Sequence, residues 1–323
     1  MAAGTVRPVE PRQRWEAWED AHLSPRAVRS LATKGREQPL APHPLRTEFQ
    51  RDRDRIVHSK AFRRLKDKTQ VFLAPEGDHY RVRLTHTLEV TGVGRTLARA
   101  LGLNEDLVEA ICLAHDLGHT PFGHMGEDAL SAFQEEPWRH ALQSLRVVEE
   151  LEPLNLTWEV RDGIVNHTWT QPLPSTLEGQ VARFADRIAY LSHDVDDAIR
   201  AGVITEADLP AEVHAGLGRT TGERYDTMVG DVVATSDGAD EIAMSPPVLE
   251  AMSALRQFMF ARVYVQEAQQ RRAVFVLTRL MEHYLAHPEE LPAGLTAADW
   301  VAGMTDDYAR RDFERVYLPA PQR

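Results

Sequence analysis

The sequence predicts a mainly α protein: a helical core, a small β-hairpin and additional C-terminal helices. Three observations carry this. Apolar residues recur at spacings of three and four through most windows after residue 84, the period of an amphipathic helix. Ser, Thr or Asn stands just before several of those windows, where a side-chain oxygen can take an N–H of the first turn. Short β-prone runs flank a turn in one place only.

In chain order, residues 1–45 contain Pro8, Pro11, Pro25, Pro39, Pro42 and Pro44. They read as a wrapping segment with one short helix. Thr47 caps a helix that Phe49, Ile56, Phe62 and Leu65 carry to Lys66. Val71-Phe72-Leu73 and Tyr80-Arg81-Val82 flank Pro75-Glu76-Gly77-Asp78, the pattern of a hairpin. A helix from Leu84 to Leu101 stops at Gly102, a residue free to take the left-handed conformation that ends helices. Asn104 caps the next, which runs to Asp116. Ser175 with Glu178 forms a capping box that opens a long helix to about Ala201. Ser245-Pro246 opens another that reaches toward His287 with one break. Thr296 and Thr305 start two short terminal helices. With no repeat, low-complexity tract or linker, the expected organisation is one domain. It comprises the wrapping segment 1–45, the core 46–201, and a C-terminal helical part, 202–323, packed on it.

The 323 residues are 43% hydrophobic and 27% charged, the balance of a soluble protein with a sizeable core. The single cysteine, Cys112, lies in an apolar run, excludes an intrachain disulfide and fits a reducing compartment. The first 20 residues lack the apolar region of a signal peptide, and no apolar stretch is long enough to span a membrane. The expected location is the cytoplasm. A net charge of −12 argues against a general nucleic-acid coat. From Arg46 to Ala100, however, 13 Lys or Arg face 7 Asp or Glu, a surplus of +6 that leaves −18 for the rest. That segment is either a solvated helix face or a well for a polyanionic ligand.

Most of the 14 histidines have bland settings, including His22, His43, His214 and His287. The stretch His115-Asp116-Leu117-Gly118-His119-Thr120-Pro121-Phe122-Gly123-His124-Met125-Gly126-Glu127 does not. Its imidazoles and carboxylates are threaded with Gly and Pro, so backbone shape places them, and such donors suit a divalent metal. His115 and Asp116 end an apolar helix, where carbonyl dipoles also favour a cation. Further ligands must come from elsewhere. His86, early in an amphipathic helix, is a candidate, although a lone histidine there is more often packed. On the long helix Val181, Phe184, Ile188, Leu191 and Val195 form the core stripe. Asp186, Tyr190 and Asp194 form a second stripe at intervals of four on the far side. Spacing alone does not separate a ligand from a solvated acidic face.

Together these motifs resemble the bacterial dGTPase-like deoxynucleoside triphosphate triphosphohydrolases of the HD superfamily. The resemblance runs through Arg53–Leu65, Lys68–Phe72, Glu76–Tyr80, Leu84–Val90, His115–Glu127, Gln143–Arg146, Asp186–Asp194 and Trp300–Asp306. It implies an HD-domain core with His86, His115, Asp116 and Asp186 as metal ligands. It implies that Gln70, Tyr190 and Asp194 hold the deoxyribose, and that Arg83, His140 and Arg187 face the phosphates. His124 matches the catalytic histidine, Glu127 its carboxylate partner, and His119 a further histidine near the phosphates. The implied cofactor is a divalent ion, Mn²⁺ or Mg²⁺ first, with Fe, Co or Ni also suited to these ligands. The implied reaction cleaves a dNTP into deoxynucleoside and inorganic triphosphate in a homo-oligomer.

The chain departs from the family at Trp138-Arg139-His140-Ala141, where an acidic residue before the histidine and Asn after it are usual. It has Trp300 for the commoner tyrosine and lacks long insertions between Asp116 and Asp186. Strict dGTP preference and regulation by single-stranded nucleic acid therefore do not transfer. Rival readings are a 5′-deoxynucleotidase, a guanosine-tetraphosphate (ppGpp-type) hydrolase, or an inactive nucleotide-sensing or DNA-binding protein on the same scaffold. The first two place acidic residues where Gly118 and His119 stand. His167, Arg271 and Arg272 are left without a role.

Overall fold

The computed structural model describes residues 10–71, 81–264 and 267–319. Helix α1 (Pro11–His22) opens on Pro11, and the chain then crosses the surface to α2 (Glu48–His58). On the way Arg36 pairs with the fully buried Asp52 and lies 2.8 Å from Glu48. Asp52 also accepts the Thr157 N–H at 2.9 Å and its hydroxyl at 2.6 Å, which ties this segment to the body of the protein. Thr47 and Gln50 close a capping box on α2. The helix expected to reach Lys66 breaks at Ser59, whose backbone is extended. Its hydroxyl instead accepts the Phe62 N–H at 3.0 Å to start α3 (Lys60–Arg64). Serine competes with helix continuation in this way. Phe49, Ile56, Phe62 and Leu65 are all buried.

The expected hairpin is not found among the described residues. They show one antiparallel bridge, Thr69 with Val82, while residues 72–80, half of its arms and its turn, lie outside them. Pairing cannot extend past Val82 because α4 (Arg83–Ala100) begins at the next residue. Gly102, at φ +65°, leads to α5 (Glu105–Ala114), capped by Asn104. Then follow α6 (His124–Ser131), α7 (His140–Arg146), α8 (Trp158–Asn166) and α9 (Leu177–Arg200). The cap of α9 is Thr176, not Ser175, which bonds Asp162 instead. Glu178 does not close a box there. Its buried carboxylate accepts the Val28 and Asn104 N–H groups, and burial pushes it up to about 7. The rest is α10 (Ala211–Leu217), α11 (Thr221–Ser236), α12 (Pro246–Met259), α13 (Glu267–Ala286), α14 (Ala297–Ala302) and α15 (Asp306–Tyr317). A π-helical turn, Phe260–Tyr264, follows α12.

Helix α9 is the spine and packs against α4, α5, α8, α11 and α12. Val181, Ile188, Leu191 and Val195 are fully buried in the main core. A Leu191→Ala change there would cost about 2–5 kcal/mol. A second apolar cluster joins Leu130 of α6 to Leu277, Leu280, Val301 and Ala309 of the last three helices, and Phe122 plugs into it.

Candidate active site

The site forms where α4, the end of α5 and the middle of α9 meet. His115 Nδ1 donates to the Cys112 carbonyl oxygen at 2.6 Å, which leaves Nε2 with a lone pair. That Nε2 is buried without a hydrogen-bond partner. It lies 3.4 Å from Asp116 Oδ1 and 3.7 Å from Asp186 Oδ1. His86 Nε2 lies 3.2 Å from Asp186 Oδ1 and 3.9 Å from Asp116 Oδ2. His86, His115 and Asp116 thus form a cluster that could hold a metal, with Asp186 beside both imidazoles, and the orphaned nitrogen fits a divalent cation. Burial opposes the charge on both aspartates. At Asp116 it is outweighed by His115, His119 and Arg83, and at Asp186 by His86 and His115, so both stay well below the usual carboxylate range. Arg83 Nη1 holds Asp116 Oδ2 at 2.9 Å.

Beyond Asp116 the chain makes a tight loop. A Cβ on Gly118 would sit 2.2 Å from the Ser144 backbone nitrogen, so the loop lies flush on α7. Ser144 fastens this contact, accepting the Gly118 N–H and donating to the His115 carbonyl, both at 2.8 Å. Phe122 and Gly123 have φ of 62° and 61°, and α6 starts at once with His124. Glu127, one turn on, serves three histidines. Its Oε1 lies 2.8 Å from His140 Nδ1 and 3.0 Å from His119 Nδ1, and its Oε2 lies 3.4 Å from His124 Nδ1. Glu127 thus hydrogen-bonds His140 and, as expected from the sequence, His124, while His119 lies within ion-pair distance of it. Against burial, His140 and His119 hold Glu127 low, while Glu127 in turn raises His140. Burial and the Arg83 charge push His119 down to about 4. Its ring stacks on His140 with centroids 4.0 Å apart. His124 is 65% exposed, at the mouth.

Tyr190 and Asp194 stand one and two turns beyond Asp186 on α9. Asp194 accepts a 2.7 Å hydrogen bond from the Tyr264 hydroxyl, and burial pushes it up to about 7. Gln70 presents a buried, unpartnered Oε1. The Arg187 guanidinium lies 3.7 Å over the Trp169 ring. A cavity of about 330 Å³ joins these groups to the histidines. Eleven of the thirteen residues singled out from the sequence line it, and His115 and Glu127 stand directly behind.

Sequence reading missed Arg256, Phe260 and Tyr264, and also Thr168 and Trp169, which line the same cavity. The first three recur at intervals of four, a stripe that was there to be seen. His167 is buried with Nδ1 donating to Ile164 O at 2.7 Å and Nε2 3.3 Å from His140 Nε2. Burial, with His115 and His140 beside it, pushes His167 down to about 3. Arg271 and Arg272 lie exposed on α13, away from the cavity lining.

Residues 83–191 match the HD domain model, and residues 242–315 match the phosphohydrolase-associated domain. A deoxyguanosinetriphosphate triphosphohydrolase-like protein of Caldanaerobacter subterraneus subsp. tengcongensis is 50% identical over 97% of this chain and 97% of that one. Proteins of the same description from Desulfatibacillum aliphaticivorans and Clostridium perfringens are 46% and 45% identical, over 96% and 95% of this chain and 99% and 98% of theirs. The chain belongs to the deoxyguanosinetriphosphate triphosphohydrolase-like family. As a member of that family it carries an HD phosphohydrolase core. His86, His115, Asp116 and Asp186 all fall within the HD match, whereas the phosphohydrolase-associated part supplies Arg256, Phe260 and Tyr264 to the cavity. Among the described residues no helix is long and apolar enough to cross a membrane.

Proposed function

We propose that this family member hydrolyses deoxynucleoside triphosphates to deoxynucleoside and inorganic triphosphate, using a divalent metal held by His86, His115, Asp116 and Asp186. The observation that carries the reading is the junction of two unlike ends in one cavity. Paired imidazoles and ionised carboxylates lie at one end, and Gln70, Tyr190 and Asp194 at the other. A bound divalent ion, Mn²⁺ or Mg²⁺, would supply Lewis-acid chemistry to the α-phosphate.

The chain's own residues do the rest. The orphaned Oε1 of Gln70 and the carboxyl of Asp194 take the sugar 3′-hydroxyl, and the Tyr190 ring leaves no room for a 2′-hydroxyl. Arg83, Arg187, His140 and His119 face the triphosphate, whose charge cationic side chains stabilise in a water-poor site. The leaving O5′ needs a proton. With His124 Nδ1 turned to Glu127, its Nε2 is left to deliver that proton. Glu127 hydrogen-bonds His140 and His124 and lies 3.0 Å from His119 Nδ1, so it orders phosphate-facing histidines as well as the donor.

The test is incubation with each of the four dNTPs, and with ribonucleoside triphosphates, in Mn²⁺ or Mg²⁺, with every product identified. Triphosphate and deoxynucleoside from dNTPs are expected. Pyrophosphate or orthophosphate as the first product would overturn the reaction type.

A further inference from the structure

We infer that Asp306 is a positioning residue that sets the separation between Gln70 and His124 across the cavity, an inference resting on the roles just proposed for those two side chains. Asp306 is the first residue of α15, in the stretch Trp300–Asp306 that the sequence singled out and the proposed chemistry leaves unused. Thr305, not Asp306, caps that helix by accepting the Tyr308 N–H at 3.2 Å. The Asp306 carboxylate is buried and turned inward, and it bridges two segments.

One oxygen, Oδ2, accepts the Thr69 N–H at 3.1 Å and the Thr69 hydroxyl. The other, Oδ1, accepts the Phe122 N–H at 3.0 Å. Thr69 is the residue before Gln70, and Phe122 is two residues before His124. A single rigid group, a few ångströms across, therefore fixes the backbone on both sides of the substrate. Phe122 at φ +62° is in a region non-glycine residues rarely take, so its N–H direction persists only because its surroundings hold it. The fully buried Lys68 doubles the tie by donating to the carbonyls of His119 and, at 3.0 Å, of Ala302. From the opposite side Arg83 Nε donates to the Thr69 carbonyl at 3.0 Å. Segment 302–306 thus grips both the strip carrying the sugar-side amide and the loop carrying the proton donor.

Asp306 touches no substrate, so its effect must appear as lost registry rather than lost chemistry. Asp306→Asn keeps the shape but turns an amide NH₂ toward one of the N–H donors. Thr69→Val removes one hydroxyl bond, and Thr69→Ser restores it. The full chain would be assayed with a dNTP and with bis(p-nitrophenyl) phosphate, which has no sugar and whose leaving group needs no proton. Asp306→Asn is expected to lower dNTP turnover about 100-fold, mostly in kcat, as misplacements near 1 Å do. Diester cleavage should fall less than about threefold, and Thr69→Ser should recover most of what Thr69→Val loses. Equal losses on both substrates, or unchanged dNTP kcat in both Asp306→Asn and Thr69→Val, would overturn the inference. If the unsubstituted protein turns over no dNTP, the proposed reaction fails separately. Amide hydrogen exchange then decides the clamp: Asp306→Asn must raise exchange in 67–71 and 119–124 together, and exchange unchanged in either segment overturns it.

Discussion

Asp186 and Asp194 stand two turns apart on one face of α9, and both look into the same cavity, yet their surroundings treat them oppositely. Near Asp186 the effect of burial is beaten by two imidazoles, and the carboxylate stays ionised. At Asp194 burial, with the Asp197 charge behind it, outweighs the Tyr264 hydrogen bond and the charges of Arg83 and Arg81, and the group is pushed up to about 7. One end thus keeps its carboxylate ionised beside imidazoles that could share a cation. The other end favours a neutral carboxyl that can both donate and accept a hydrogen bond. The lesson is that residue type and helix position do not set a carboxylate's job; the partners that other elements bring to it do.

Four changes would sharpen or break this contrast. The largest effect is expected from Asp186→Ala, which should lower dNTP hydrolysis by about 1,000-fold or more and reduce bound metal. Metal analysis alongside turnover checks it, and full metal occupancy with full activity would remove Asp186 from the ligand set. Next, His124→Ala should cost about 100-fold or more in kcat with KM little changed, the range for a lost general acid. A proportionate rise in KM would point to substrate binding instead.

Asp194→Asn should act mainly on KM, by about tenfold, the scale of one hydroxyl contact. It also changes stability with pH. Asp194 titrates near 3.8 when unfolded and about 7 in the fold, so between those values the native state holds the extra proton. Its contribution is whole below 3.8 and is lost as pH rises through about 7. Denaturant unfolding at about pH 5 and about pH 8 should therefore show the variant gaining on the parent at the higher pH. An identical gap at both would sink the assignment. The smallest effect, about two- to fivefold in KM, is expected of Trp169→Ala, which removes the ring beneath Arg187. Steady-state kinetics with the preferred dNTP measures it.

Much of this was readable in the sequence, for identifiable reasons. The two stripes of α9 follow from helical period alone, and the fold places Val181 and Ile188 inside and Asp186, Tyr190 and Asp194 on the cavity. The His115–Glu127 stretch concentrates its donors within thirteen residues, so their clustering was visible, while His86 and Asp186 had to be brought in from other helices. What stayed hidden depends on contacts between distant segments. Tyr264 falls in a stripe at intervals of four with Arg256 and Phe260, but that it reaches Asp194, 70 residues earlier in the chain, is a tertiary contact that the stripe does not reveal. The sharing of Glu127 among three histidines needed the loop geometry. The break at Ser59, whose hydroxyl caps the next helix, and the shift of the α9 cap from Ser175 to Thr176 are local contests decided by which oxygen meets a free N–H. His167 had no role in the sequence because its contact with His140 depends on how α7 and α8 pack.

Gly118 has a bearing on how such an enzyme can change over time. With no side chain there, the peptide after Asp116 rests on the backbone of α7, and a Cβ would fall 2.7 Å from the His140 carbonyl oxygen. One methyl group would therefore act as a shim, lifting the helix that carries His140 from the strip that carries Asp116. Substitutions around the rim can reshape the cavity mouth while this joint stays shut. A change at the joint itself would spoil every substrate alike.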